Sequence, residues 1–231
     1  REHMKHLVPM GVSRLLDRKE MLSDPRAIKA VRDEASALIA AGTWNEATVT
    51  ERDELMEHAR RNNLKIHVAQ LMSICSVKYS ELSSDKWKHK GRVCFRGDAV
   101  RDQDGQAAIF EQLAASPTSI VDTNSSIAYG SLRNHKVTCA DAIRAYIQSV
   151  LGSKTETWVQ VPYELWPPSW SKRGFKRPMC KLIKSLYGHP ESGGWWEKHL
   201  TQALNKLGCT VIEGLSLIHI SEPTRPLYIS Y

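Results

Sequence analysis

Cys139-Ala-Asp-Ala-Ile-Arg-Ala-Tyr-Ile-Gln-Ser-Val-Leu151 sets one acidic residue between a stretch that reads as extended and one that reads as helical. Residues 136–139 have the β-branched character of a short strand. After them Ile143, Tyr146, Ile147 and Val150 recur at helical spacing, which predicts a helix. A carboxylate at such a junction is a natural metal ligand, and Asp141 is the residue around which the rest of the chain is read.

Downstream, residues 152–155 read as a turn and residues 157–161 as an alternating strand that stops at Pro162. Residues 166–178 form a proline-bounded basic stretch, expected as a hairpin excursion. Residues 179–186 are again strand-like and 187–190 a turn. A helix is expected from near Gly193 and Gly194, with Trp196, Leu200, Ala203, Leu204 and Leu207 as its apolar stripe and Gly208 as its cap. Upstream, Asp24-Pro25 is a helix start, followed by an apolar stripe of Ile28, Val31, Leu38 and Ile39 that Gly42 ends. Thr43-Trp44 anchors the exit. Thr50 with Asp53 resembles a capping box for a second helix running to about Arg60. Residues 68–77 are apolar and fit helix or strand, residues 98–106 are turn-like, and residues 107–115 read as a helix that Ser116-Pro117 breaks.

Lys86-Trp-Lys-His-Lys-Gly-Arg-Val-Cys-Phe-Arg-Gly97 is the most informative early segment. In an extended chain alternate side chains point to opposite faces. Lys86, Lys88, Lys90, Arg92 and Arg96 then share one face, and Trp87, Val93 and Phe95 the other. A basic face over an apolar one suits phosphate contact through charge and through the forked geometry of guanidinium. An edge strand guarded by lysine would show the same pattern.

The bulk numbers agree with a polyanionic partner. The 231 residues carry a formal charge of +7, and 42% are hydrophobic, enough to bury a core. The five cysteines, Cys75, Cys94, Cys139, Cys180 and Cys209, form no paired metal-ligand spacing and read as reduced thiols of an intracellular protein. No apolar run approaches the roughly 20 residues that span a bilayer, so a soluble protein without membrane contact is expected. The first residues, Arg1-Glu-His-Met, lack a secretory signal and read as the middle of a longer frame.

Three segments in this order resemble the reverse transcriptase of copia-type retrotransposons, over residues 27–208. Residues 35–44 resemble its opening helix and Thr-Trp, and Lys90-Gly-Arg-Val-Cys-Phe-Arg-Gly97 its basic fingers strand. Asp141 with Ala145 and Tyr146 is similar to its first palm motif. Cys180-Lys-Leu-Ile-Lys-Ser-Leu-Tyr-Gly188, followed by Trp196, is similar to the next. The resemblance implies an α+β fold, the fingers and first half of the palm of a right-hand polymerase, with a mixed sheet and packed helices. It divides the chain into an upstream linker (1–26), a fingers-like region (27–135), a partial palm (136–214) and a tail (215–231).

The resemblance further implies that Asp141 binds catalytic Mg2+ and that Tyr146, beside Ala145, packs beneath the sugar of an incoming deoxynucleoside triphosphate. Arg92 and Arg96, with Lys90, would lie near the triphosphate or template phosphates. Lys86, Lys88, Gly188 and Glu191 would contact nucleic acid. The partners implied are an RNA template, a DNA primer and the other parts of the Pol polyprotein, in cytoplasm, nucleus or virus-like particles. The chain departs from the family in having Glu191 and Gly193 where Gln and Pro are usual. It also contains no Tyr-x-Asp-Asp, the family's source of two further metal-binding carboxylates. Residues 215–231 instead resemble a translated sequencing-library adapter and are expected to be artefact, a genuine strand pair being the other reading. The expected function is thus a fragment of an RNA-directed DNA polymerase, itself inactive. A non-catalytic nucleic-acid-binding remnant is the rival, and a fragment too incomplete to fold stably the third reading.

Overall fold

The computed structural model describes residues 11–110, 119–135, 137–209 and 227–230. The fold class is α+β, a mixed sheet with packed helices. The chain divides into two compact units, one of residues 1–107 with 155–182, the other of residues 108–154 with 183–231.

The first unit begins with strand β1 (Ser13–Leu15) and helix α1 (Arg18–Ser23), then α2 (Pro25–Ala40), β2 (Trp44–Glu51), α3 (Arg52–Arg61), β3 (Ile66–Lys78) and β4 (Lys88–Phe95). After the excursion into the other unit come β6 (Glu156–Gln160), α5 (Pro168–Lys172) and β7 (Pro178–Leu182), β5 (Val137–Ala140) belonging to the second unit. Five strands run in the order β1-β3-β6-β7-β2, and β4 also pairs with β3, off that path. The β3–β6 pair is parallel and the others antiparallel.

β3 is the apolar run whose type the sequence leaves open, and its burial alternates. His67, Ala69, Leu71, Ser73, Cys75 and Val77 are buried, while Gln70, Met72 and Lys78 are exposed. The buried face packs against α2. Asp24 caps that helix by accepting from Arg26 N at 2.8 Å, and Ala27, Val31, Ala35 and Leu38 are its buried positions, with Ile28 and Ile39 half-buried. The Asp24 carboxylate also meets the His89 ring of β4 at 3.0 Å, tying the start of α2 to the sheet. Trp87 closes the cluster of Leu16, Met21, Ala27, Val31, Cys75 and Val77, with the guanidinium groups of Arg14 and Arg26 at 6.0 and 5.9 Å from its ring. On the opposite face α3 covers Ile66, Val68 and Met179 with Leu55, Met56 and Ala59.

Several expectations need correction. The cap of α3 is Glu51, which makes no side-chain cap bond, because Thr50 stays in the β2–β7 ladder opposite Met179. Glu51 instead accepts from the main-chain N–H groups of Lys176 and Arg177 at 2.9 and 2.8 Å. The basic stretch after Trp166 contains α5, with Pro168 in its first turn, in place of a hairpin excursion. Ala107 makes an antiparallel bridge to Arg101 and residues 108–110 are not helical; residues 111–115 lie outside the described residues, as does the Ser116-Pro117 break.

The second unit holds α4 (Ile120–Gly130), with a full capping box from Ser119 and Asp122, then β5, and α6 (Ser192–Lys206). β8 (Leu227–Ser230) pairs antiparallel with β5. The expected strand before Asp141 is present as β5, Lys136 lying outside the described residues. The expected helix after Asp141 is not. Only Tyr146–Gln148 forms a 3-10 turn, because Ser149 and Leu151 engage residues 183–185 in extended pairing. Ser185 N donates to Ser149 O at 3.0 Å, and Leu151 N to Ile183 O at 2.9 Å. Ile147 is buried there, whereas Ile143 and Val150 are exposed. α6 begins where the glycines place it, but only the start of its stripe is covered. Trp196 is 2% exposed, while Ala203 and Leu207 face outward.

Cys75, Cys94, Cys180 and Cys209 are free thiols, and no helix among the described residues is long and apolar enough to cross a membrane. Burial, with a smaller contribution from the nearby Glu46 carboxylate, pushes the Cys180 thiol up to about 12. The folded state therefore holds a proton that the unfolded thiol releases near pH 9. This stabilisation is complete below that pH and is lost as pH rises toward 12, at about 1.4 kcal/mol per pH unit. Urea melts at pH 8, 9 and 10 are expected to show the decline, and Cys180→Ala to flatten it; an unchanged slope in Cys180→Ala would refute the assignment.

Candidate functional site

Two groups of candidate residues emerge, one in each unit. In the first, β4 carries the basic face that alternation predicts. Val93 and Phe95 are each 2% exposed and turn inward. Lys88, Lys90, Arg92 and Cys94 stand on the other side, opposite Lys78, Ser76, Ile74 and Met72 of β3. Lys86 lies in the bend before the strand. Lys90 is half-buried, and that burial, with the positive charges of Arg92 and Lys78, holds its ammonium below the usual lysine range against the opposing pull of Glu34. Crowded like charge of this kind favours an anion over the strand. Arg92 makes no ion pair among the described residues, whereas Arg96 is held by Asp98 at 2.8 Å.

The second group surrounds the turn after β5. Asp141 is exposed at the strand's end, and Ala145 and Tyr146 follow where the backbone tightens. Tyr146 is half-buried against Tyr187, their rings edge to face at 4.7 Å and 77°. Burial, and secondarily the neighbouring Tyr187, raises the Tyr146 hydroxyl above the ordinary tyrosine range. Tyr187 is a contact that sequence reading missed, although it stands directly before Gly188. Gly188 is exposed with φ of +90°, a conformation that a side chain would strain.

Glu191 is 6% exposed, which its type does not suggest. Its carboxylate accepts from the Ser153 hydroxyl, and its own N–H donates to His189 Nδ1 at 3.2 Å. Next to it, Ser192 Oγ donates to Leu186 O at 2.8 Å and accepts from Leu186 N at 3.0 Å. These bonds fix the turn of residues 186–192 that leads into α6. Asp141, Ala145, Tyr146, Gly188 and Glu191 thus share one unit, and Lys86, Lys88, Lys90, Arg92 and Arg96 the other.

Among the described residues no three His, Cys, Asp or Glu side chains cluster as metal ligands. A single exposed carboxylate offers too few donors for a pair of divalent ions, whose binding draws on several oxygens. Asp141 alone therefore does not fit a two-metal centre.

What the coordinates define is an α+β protein with a mixed sheet, a basic strand face and an exposed carboxylate at a strand end. Comparison with known protein families, with curated proteins and with solved structures finds no match to this chain.

Proposed function

We propose that the chain is a fragment of a copia-type retrotransposon reverse transcriptase, inactive by itself, whose full-length parent carries out magnesium-dependent nucleotidyl transfer on a primed RNA template. The supporting observation is that Asp141 stands exposed at the end of β5 with Tyr146 five residues on, and that Tyr146 packs against Tyr187 of the second palm-like string. The two strings that resemble palm motifs thereby meet through their aromatic residues. In this reading Asp141 is a magnesium ligand of the parent, and Tyr146 offers a ring face to the nucleotide sugar. The remaining carboxylates come from the Tyr-x-Asp-Asp segment that these 231 residues lack.

A second reading, a non-catalytic nucleic-acid-binding remnant, is favoured by the Lys88–Lys90–Arg92 face, which needs no metal to hold phosphate. One set of measurements separates them. The 231-residue chain with Mg2+ is expected to bind primed template without extending it, and processive synthesis would sink the proposal of an inactive fragment. A chain extended to carry Tyr-x-Asp-Asp is expected to synthesise DNA and to lose this in Asp141→Ala with binding retained. Absence of synthesis before mutation selects the remnant. Arg92→Ala is expected to weaken binding alike across sequences and to reduce the salt slope by about 1.

A further inference from the structure

The basic face of β4 runs on into a concavity. Where β3 leaves β4, the sheet deepens into a pocket of about 460 Å3 lined by Arg52, Arg96, Arg101, Arg177, Gln70 and Gln160. Strand register builds it: Gln70 of β3 pairs with Gln160 of β6, which pairs with Met179 of β7, so the three stand in one row. The N–H of Arg96, just past β4, donates to Gln70 O at 2.9 Å. Arg101 is brought in by a two-bond bridge to Val68, at 2.7 and 2.9 Å. Arg52 opens α3, and its N–H donates to Arg177 O at 3.0 Å.

Among the described residues no carboxylate lines this pocket. Nearby, Asp53 holds Arg177 at 2.6 Å and reaches Arg52 at 3.8 Å, Asp98 holds Arg96, and the Glu51 carboxylate is engaged by main-chain N–H groups. Arg101 has no ion pair among the described residues and is exposed. Four arginines thus line one pocket, three of them braced by carboxylates that are not among its described lining residues. Val68 and Met179, both buried, give it an apolar floor. The volume falls in the range of small-ligand sites.

We propose that this concavity is a phosphate-binding pocket in which Arg101 is the principal free ligand-binding group, braced by Arg52, Arg96 and Arg177. The phosphate comes either from a free nucleotide or from a strand lying along β4, whose basic side chains from Lys88 to Arg96 span roughly 27 Å. The pocket does not depend on the polymerase reading, since no carboxylate or metal is required.

Calorimetric titration of the full chain at fixed salt tests this with three probes, tripolyphosphate, deoxythymidine triphosphate and a short oligo-deoxythymidine. Tripolyphosphate is expected to bind, and Arg101→Ala to weaken it at least about tenfold, the size of one lost charge-assisted bond. Lys29→Ala, on α2 across the sheet, is expected to leave it unchanged. If Arg101→Ala weakens the triphosphate and spares the oligonucleotide, the source is a free nucleotide; the reverse pattern assigns a strand. Equal affinity of Arg101→Ala and the parent chain for all three probes overturns the proposal. Should Arg101→Ala melt early, Gln70→Ala supplies the same comparison. A chain that binds tripolyphosphate through Arg101, yet supports no synthesis when extended, would remove the polymerase reading and leave the pocket standing.

Discussion

Gly91→Ala is expected to destabilise the first unit by about 3 kcal/mol or more, the upper end of the cost of overpacking. A Cβ at this position would stand 2.4 Å from Ala30 C and O and 2.5 Å from Val31 N, and these are main-chain atoms of α2. A flexible side chain could swing aside; a helix backbone cannot. Relief requires moving α2 away from β4, which would loosen Val31 and Ala27 from Cys75 and Val77 and part His89 from Asp24. Ala30→Gly is expected not to rescue the variant, because the clash is with the backbone of that residue and not its methyl group. Thermal melts of the single and double variants check both statements, and a Gly91→Ala chain within about 0.5 kcal/mol of the parent would refute the expected clash.

Trp196→Ala is expected to cost the second unit about 3–5 kcal/mol, as large aromatic truncations in cores do. Trp196 is 2% exposed in the first half of α6 and is the main buried side chain that the helix contributes. Its indole N–H has no hydrogen-bond partner among the described residues. Trp196→Phe removes that unsatisfied donor while keeping most of the apolar volume, so its cost is expected to stay below about 1.5 kcal/mol. The large gap between the two substitutions is the measurable signature of packing. If Phe proved as damaging as Ala, the ring would instead be acting through its N–H.

Alternation was legible in the sequence wherever a strand had one covered face. The residues of β4 sort as their parity predicts, since burial against α2 selects every second position. The Asp24 cap and the glycine-marked start of α6 were legible too, because each is encoded within a few residues. The failures share a cause. The helical spacing after Asp141 was overridden by pairing with residues 183–185, more than thirty positions away, which local periodicity cannot see. The Thr50 cap failed because β7 claims that residue for its ladder. Tyr187 and Ser153 were invisible for the same reason, each meeting its partner across a long stretch of chain. The arginine pocket draws on residues from 52 to 177 and leaves no mark in any one segment.

The thirteen residues of β3 form an unbroken ladder with β4 and β6, without a bulge on either edge. Side chains along it alternate strictly, so a one-codon insertion in the middle of that strand would exchange the faces of every residue beyond it. Lys78 would turn inward and Val77 would be cast out to solvent. The turn at residues 102–106, where Asp102 already knots its own backbone to Gln106, has no such parity to keep. Changes in length among descendants of this sequence should therefore collect in the turn and be purged from the strand, so that β3 keeps its reading frame of inward and outward positions even as its individual side chains drift.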